Sequence, residues 1–258
     1  MLKAVAFDMD DTLLSLNLSA FIAVLAKDES HLLAQVARKN PLSLFAAYTG
    51  AMLEVNRTPE AADRRTNRER FDDAIERRSG VPLADPVIAD VLDCYEREVL
   101  PAKNDAVIAA RPREGAHDAL ACVLGRGLRV ALLTNPSFSH TCIRCRMGWG
   151  GLTDVPFELV TCMENSTRCK PDADYYRASL AQLELKPEEV LMVGNDPRRD
   201  FPQPDIGLQT AYVGGGAPVR ATWCGSMADF AARFDEIEER FYERQERNLL
   251  DIVQDVQR

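Results

Sequence analysis

The clearest chemical feature of the sequence is a pair of aspartates, Asp8 and Asp10, that are separated by one residue. They follow a short apolar run over residues 3–7, which is typical of a parallel strand covered on both faces. One carboxylate can attack a phosphorus atom while the other handles the proton, and both can share a hard cation through oxygen ligands. The alternative is a turn in which the aspartates only cap the following segment.

Two further apolar runs end in polar side chains. The run over residues 128–133 stops at Thr134 and Asn135, and the run over residues 190–193 stops shortly before Asp196. A threonine hydroxyl, together with nearby backbone N–H groups, can hold a phosphoryl oxygen. Because the carboxyl ends of parallel strands meet at one edge of a sheet, we expect these residues to lie beside Asp8. Each signal is weak alone, since threonine and aspartate are common at strand ends and turns.

A lysine and a second acidic pair complete the candidate site. Lys170 precedes a predicted helix and could stabilise negative charge on Asp8 and on a phosphate group. Asp196 and Asp200 can complete an oxygen-rich cation site, with Asp196 as a direct ligand and Asp200 as its partner behind it. Read separately, the lysine could be a solvated residue and Asp196 a turn residue.

The order of predicted elements indicates an α/β fold. Helices predicted over residues 112–124 and 172–183 alternate with the apolar runs, and weaker strands are predicted over 157–161 and 210–213. This alternation predicts a doubly wound parallel sheet with right-handed crossovers.

A helical segment is predicted to interrupt this core. Residues 16–108 lack strand patterns, and Thr66 to Glu69 forms the sequence of a capping box. We therefore expect a core domain over 1–15 and 109–225, an inserted α-helical cap domain over 16–108, and a C-terminal helix over 226–258.

The chemical residues together resemble the four motifs of the haloacid dehalogenase superfamily. That family has Asp-x-Asp-x-Thr after an apolar strand, then a strand-end serine or threonine, then a lysine often followed by proline, and finally an acidic pair after a glycine. The matching residues are Asp8, Asp10, Thr12, Thr134, Lys170, Pro171, Gly194, Asp196 and Asp200. The chain departs from the family at Asn195, where an aspartate is usual, and its helical insertion resembles the family's C1 cap.

The resemblance implies a catalytic role for each polar residue. Asp8 would attack the phosphoryl group in line and form an aspartyl phosphate, while Asp10 would protonate the leaving oxygen and later activate water. Thr134, Asn135 and Lys170 would bind the phosphoryl group. Dehalogenase members lack the second aspartate, so Asp10 favours phosphoryl chemistry.

The resemblance also implies a magnesium cofactor. Mg²⁺ would be held by Asp8, by the backbone carbonyl of Asp10 and by Asp196, with Asp200 behind them. In this reading the metal offsets the charge on the phosphoryl oxygens.

Composition restricts the expected partners. The 258 residues carry a formal net charge of -9, which disfavours nucleic acid and anionic membranes as partners. No apolar run approaches the roughly 18–20 residues of a membrane span. The seven cysteines are odd in number and dispersed, which is typical of reduced thiols and of a cytoplasmic protein without a leader. A small phosphorylated substrate is the expected partner.

Three alternatives remain open from the sequence. The same residues could serve a phosphotransferase or phosphomutase, and a catalytically idle family member could serve as an interaction module. A homodimer could also form through the apolar stripe of the C-terminal helix, although packing of that stripe against the core is the favoured interpretation. The stripe consists of Phe230, Phe234, Ile237 and Phe241.

Overall fold

The centre of the fold is a parallel β-sheet. The computed structural model describes residues 1–218 and 220–256. In chain order, the strands are β1 (Ala4–Phe7), β2 (Leu14–Ser15), β3 (Arg111–Pro112), β4 (Arg129–Leu132), β5 (Val190–Gly194), β6 (Gln209–Tyr212) and β7 (Trp223–Cys224). Five of them form one sheet in the order β4–β1–β5–β6–β7, and every pairing in it is parallel. The predicted α/β doubly wound class is therefore confirmed.

Helices cover both faces of this sheet and form the insertion. They are α1 (Leu18–Ala37), α2 (Pro41–Val55), α3 (Asn67–Ser79), α4 (Pro86–Cys94), α5 (Ala116–Gly125), α6 (His140–Trp149), α7 (Ala173–Gln182), α8 (Met227–Ala232) and α9 (Phe234–Val256). Alternate residues of β1 enter two different apolar clusters, Val5 and Phe7 on one side and Ala4 and Ala6 on the other. This two-sided burial explains why the strand is apolar without alternation.

The helices α1 to α4 form a cap that leaves and rejoins the core at one place. The strands β2 and β3 pair antiparallel, with Leu14 opposite Pro112, at the base of this insertion. The predicted capping box begins α3, because the Thr66 side chain accepts from the N–H of Glu69 and the Glu69 carboxylate accepts from the N–H of Thr66. The chain therefore enters the cap directly after the loop that carries Asp8.

Two predicted elements differ from the observed ones. Residues 157–161 are less regular than a strand but run parallel to β4, with a bridge between Val160 and Leu132 and a hydrogen bond from the N–H of Glu158 to the carbonyl of Val130. The helix predicted from residue 112 begins at Ala116, because Pro112 is held in β3 and Gly115 adopts a left-handed φ of 81°.

The apolar stripe near the C-terminus packs inside the chain. Phe230, Phe234, Ile237 and Phe241 are all buried, and the ring of Phe230 lies 5.9 Å from that of Phe7 on the central strand. The favoured interpretation of the stripe is therefore confirmed, and a homodimer through these four residues gains no support. No helix among residues 1–218 and 220–256 is both long and apolar enough to cross a membrane.

Candidate active site

The sheet topology brings three chemical loops to one edge. The strand β1 lies between β4 and β5, with Phe7 opposite both Leu132 and Val193. The ladder continues past β1, because the N–H of Asp8 donates to the carbonyl of Val193 at 2.8 Å. Because the three strands are parallel and in register, the residues that follow them meet at the carboxyl edge of the sheet.

A buried lysine joins two of these loops. The ammonium nitrogen of Lys170 lies 2.8 Å from Oδ1 of Asp8 and 2.7 Å from Oδ1 of Asp200, and its side chain is only 1% exposed. Burial works against the charged ammonium, but Asp200 and Asp8 raise the pKa of Lys170 well above its ordinary value. The lysine is therefore a fixed positive charge beside Asp8.

Burial has the largest effect on the pKa values of the two carboxyl groups around this lysine. Burial raises the pKa of Asp8, while the ammonium of Lys170 opposes the increase. Burial likewise raises the pKa of Asp200 to about 6, again against the effect of Lys170. The two carboxylates and the ammonium therefore act as one charge cluster at the sheet edge.

A glycine allows Asp200 to reach the cluster. A Cβ atom at Gly194 would lie 2.3 Å from the Asp200 carboxylate, which is closer than any real contact. The second oxygen of Asp200 accepts from the N–H of Asp196 at 2.9 Å and so closes the loop after β5. The predicted place of Asp200 behind the site agrees with this geometry.

Thr134 presents a free hydroxyl in a buried position. Its Oγ1 has no hydrogen-bond partner among the described residues, although the residue is 1% exposed. Its backbone carbonyl is fixed instead, by the hydroxyl of Thr161 at 2.7 Å and the hydroxyl of Tyr175 at 2.9 Å. A buried hydroxyl without a partner costs free energy unless a ligand satisfies it, and a phosphoryl oxygen would do so.

The side-chain amide of Asn135 forms hydrogen bonds with two other parts of the chain. Its Oδ1 accepts from the N–H of Lys170 at 3.1 Å, and its Nδ2 donates to Oδ1 of Asn56 at the end of α2, 2.8 Å away. Both ends of the amide therefore have protein partners. The residue ties the lysine loop to the cap, whereas the sequence predicted that it would bind substrate.

Asp10 is held by an arginine that the sequence did not point to. Nη1 of Arg146 lies 2.8 Å from one oxygen of Asp10 and 2.7 Å from the other. Arg146 is fully buried, and its guanidinium packs against the rings of Phe21 in α1 and Phe138, at 5.1 and 4.5 Å from their centroids. This arrangement fixes the second carboxylate of the motif and links it to the cap.

Sequence analysis could have found this arginine from its position in α6. The buried face of that helix contains Cys142, Ile143, Arg146 and Met147. A cation in an otherwise apolar stripe requires a buried or partly buried anion, because an unpaired charge in the core is very costly. The sequence does not reveal which anion, since Asp10 is 136 residues away.

The loop after β5 connects Asn195 with the first aspartate through Thr12. The hydroxyl of Thr12 donates to Oδ2 of Asp8 at 3.3 Å and is 3.0 Å from Oδ1 of Asn195. The Asp196 carboxylate accepts instead from the N–H of Arg198 at 2.9 Å, and its side chain is 42% exposed. Asn195 and Asp8 thus share a contact with the Thr12 hydroxyl, and the prediction that Asp196 binds the metal stays a prediction.

The carboxylate and amide oxygens around Asp8 suit a hard cation, and the amide oxygens among them are neutral. Within the described part of the chain, no group of three or more His, Cys, Asp or Glu side chains comes close enough to hold a metal ion. Amide and carboxylate oxygens are the ligands that Mg²⁺ accepts, and it usually keeps several waters. The residues around Asp8 therefore fit Mg²⁺ better than they fit zinc.

The chain resembles known hydrolases over most of its length. A family model described as haloacid dehalogenase-like hydrolase matches residues 2–202. An N-acetylmuramic acid 6-phosphate phosphatase of Pseudomonas aeruginosa is 28% identical over 214 residues, which cover 82% of this chain and 81% of the relative. The CbbY protein of Cereibacter sphaeroides is 27% identical over 124 residues, or 48% of this chain and 53% of that protein.

Solved structures agree on the fold. The structure of a phosphatase of this family from Thermococcus onnurineus superimposes with a TM-score of 0.56 at 16% identity, covering 90% of this chain and 98% of that one. A β-phosphoglucomutase from Clostridium difficile gives a TM-score of 0.54 at 15% identity, covering 95% and 99%. With the family match over residues 2–202, they show that the chain belongs to the haloacid dehalogenase-like hydrolases.

Proposed function

We propose that the protein is a phosphatase that removes phosphate from a small phosphorylated metabolite, with Asp8 as the nucleophile. The observation that carries this proposal is the buried Lys170 ammonium between Asp8 and Asp200. It offsets the burial of Asp8 and keeps an ionised carboxylate available to attack phosphorus. The Pseudomonas aeruginosa relative is named for a phosphorylated sugar, which supports sugar phosphates as the substrate class.

The reaction divides into two displacements at phosphorus. In the first, a carboxylate oxygen of Asp8 bonds to phosphorus as the ester bond to the leaving oxygen breaks, and Asp10 gives its proton to that oxygen. In the second, Asp10 takes a proton from water and the water oxygen bonds to phosphorus as the bond between phosphorus and the Asp8 oxygen breaks, which yields inorganic phosphate and restores the Asp8 carboxylate. Thr134 and Lys170 hold the phosphoryl oxygens throughout.

Magnesium binding belongs to the same proposal. Asp8, the backbone carbonyl of Asp10 and the amide oxygen of Asn195 would hold the ion. The position of Asn195 supports its choice over Asp196, because the Thr12 hydroxyl lies between its oxygen and Asp8. When bound, the ion supplies counter-charge for the phosphoryl oxygens.

The cap restricts the substrate to small molecules in this proposal. Its residues contact the loop that carries Thr134: Nδ2 of the buried Asn67 donates to the carbonyl of Pro136 at 3.0 Å, and Asn56 accepts from Asn135. A cap anchored there can exclude water from the phosphoryl group and block folded proteins and duplex nucleic acid.

The test compares two aspartate variants within one loop. Asp8→Asn should abolish Mg²⁺-dependent release of phosphate from p-nitrophenyl phosphate. The matched control is Asp11→Asn, because Asp11 is exposed and has a left-handed φ of 59°, which asparagine tolerates. A folded Asp8→Asn variant with near wild-type turnover would contradict the proposal. Phosphate released in equal amount to the alcohol distinguishes hydrolysis from phosphate transfer.

A further inference from the structure

A cavity of about 230 Å³ lies between the cap and the core. We call it the cap–core cavity. Its walls come from α1 to α4, from the turn after α4, and from the core loop that begins three residues after Thr134. One wall is Phe138, which also packs against the arginine that holds Asp10. The cavity therefore borders the loop that follows Thr134 and the side chain that packs against the partner of Asp10.

Two buried glutamates lie together on the wall of this cavity. Glu29 of α1 is 3% exposed, and Glu96 is 7% exposed. The hydroxyl of Tyr48 donates to Oε2 of Glu29 at 2.7 Å, and the hydroxyl of Ser139 donates to Oε2 of Glu96. A hydrogen bond also joins the carboxyl groups of Glu29 and Glu96, and no N–H or hydroxyl donor among the described residues reaches Oε1 of Glu29. The Glu29–Glu96 pair is therefore a buried polar patch on the cavity wall.

Burial raises the pKa values of both carboxyl groups. Burial raises the pKa of Glu29 well above its ordinary value, and the negative charge of Glu96 raises it further. Burial also raises the pKa of Glu96, but the hydroxyl of Ser139 and the Glu29 carboxyl oppose the increase. The carboxyl oxygens of such a pair are hydrogen-bond acceptors, and the hydroxyl groups of a ligand are donors that complement them.

The backbone around Glu96 is irregular. Residues Tyr95–Val99 form a π-helical turn directly after α4, and within this turn Glu96 is buried whereas Arg97 and Glu98 are exposed. Single π-helical turns often occur at functional sites, because they redirect one side chain at a cost in backbone geometry. Here the redirected side chain is the carboxylate that lines the cavity.

The remaining wall residues exclude an anionic ligand. Asp93 and Glu164 also line the cavity, and the only cation among the described lining residues is Arg68, which pairs with Asp72 at 2.9 Å. Aromatic rings complete the wall. A small space with aromatic surfaces and hydrogen-bonding carboxyl groups suits a neutral ring that carries several hydroxyls.

We infer that the cap–core cavity binds the hydroxylated part of the substrate, a neutral sugar of monosaccharide size, and that Glu29 and Glu96 select it by hydrogen bonds. This inference rests on the proposed phosphatase function. It adds that a leaving group with its own carboxylate is disfavoured relative to a neutral one, because the carboxylate would meet Glu96, Asp93 and Glu164 beside a single cation, Arg68, that already pairs with Asp72. In this respect the chain would differ from the Pseudomonas aeruginosa relative, which is named for the phosphate of a sugar acid.

The first experiment uses the wild-type protein and a matched substrate pair. Glucose 6-phosphate and gluconate 6-phosphate are close in size and differ in a terminal carboxylate. We expect kcat/KM for glucose 6-phosphate to exceed that for gluconate 6-phosphate by at least about tenfold. Equal values, or a preference for gluconate 6-phosphate, would overturn the inference. If the wild type released phosphate from neither sugar nor aryl phosphates, the proposed function itself would fail.

The second experiment tests the two glutamates. In Glu29→Gln and Glu96→Gln, the ratio of kcat/KM for glucose 6-phosphate to kcat/KM for p-nitrophenyl phosphate should fall by roughly tenfold to a hundredfold. The control is Glu76→Gln, an exposed position on the cap helix α3, where this ratio should not change. An unchanged ratio in both glutamate variants, or an equal loss on both substrates, would assign the pair a structural role only.

Discussion

The charge cluster around Lys170 predicts that replacing Asp200 makes the protein relatively more stable as the pH rises. Replacing one partner of a simple salt bridge would have the opposite effect. Replacing Asp200 by asparagine removes a carboxylate that lies 2.7 Å from a buried ammonium. Loss of a partner from a buried pair usually destabilises a protein. Here, however, burial outweighs the lysine and raises the pKa of Asp200 from 3.8 to about 6. The ionised form is therefore the less favourable one in the folded chain.

The size of the effect follows from linkage. Between the unfolded pKa near 3.8 and the folded pKa of about 6, the folded state holds a proton that the unfolded state has released. The contribution of Asp200 to stability is therefore fully present below this window and is lost as the pH rises through it. At about 1.4 kcal/mol for each pKa unit, the loss is about 3 kcal/mol.

The assay is urea unfolding of wild type and Asp200→Asn at several pH values between about 4 and 7. Trp149 and Trp223 give the fluorescence signal. Since asparagine does not titrate, the unfolding free energy of the variant relative to wild type should increase by about 3 kcal/mol across this range. The exposed Asp154 serves as a control, and Asp154→Asn should change this difference little.

The result that would refute the reasoning is a change of the opposite sign. If the variant lost stability relative to wild type as the pH rose, the attraction to Lys170 would outweigh the burial of Asp200. The pKa of this carboxyl would then lie below its ordinary value. A difference that did not vary with pH would show that Asp200 does not titrate in this range.

Other contacts of the site give three further predictions. Arg146→Met should lower kcat on p-nitrophenyl phosphate by about 100-fold with little change in KM, because Asp10 loses the guanidinium nitrogen that contacts both of its oxygens, and steady-state kinetics would show this; a rise in KM alone would argue against it. Asn195→Ala should raise the Mg²⁺ concentration for half-maximal activity by at least about tenfold, whereas Asp196→Asn should change it about threefold or less, as measured by metal titration; the reverse order would restore Asp196 as the ligand. Gly194→Ala should destabilise the fold by about 1–3 kcal/mol in thermal unfolding, because the new methyl group meets a buried carboxylate, and an unchanged melting temperature would contradict this.

Sequence reasoning located the core of the fold because its signals are local. The strands β1, β4 and β5 are apolar runs that end in polar loops, and each is observed within one or two residues of its predicted bounds. The parallel pairing then follows from the alternation of strands and helices. The short strand β7 gave no such signal, because two residues cannot show a periodicity.

Contacts between distant parts of the chain set the limit of sequence prediction at the site. The acidic pair after β5 indicated an oxygen-rich loop, but the direction of each side chain depends on the turn. The turn directs Asp196 toward the N–H of Arg198 and places the oxygen of Asn195 beside Thr12. A carboxylate near a backbone N–H forms this local bond readily, and residue type alone does not reveal it.

The position of Arg146 connects the cap with the proton chemistry. Its guanidinium contacts Phe21 of the cap, Phe138 of the core loop and the carboxylate of Asp10. Because the arginine is fully buried, its side chain cannot shift without moving at least one of these groups. A displacement of α1 would therefore change the orientation of Asp10, and a change at Asp10 would alter the packing of the cap. The same helix α1 carries Glu29 in the cap–core cavity. In the proposed reaction, recognition of the leaving group and placement of the proton donor thus depend on one helix.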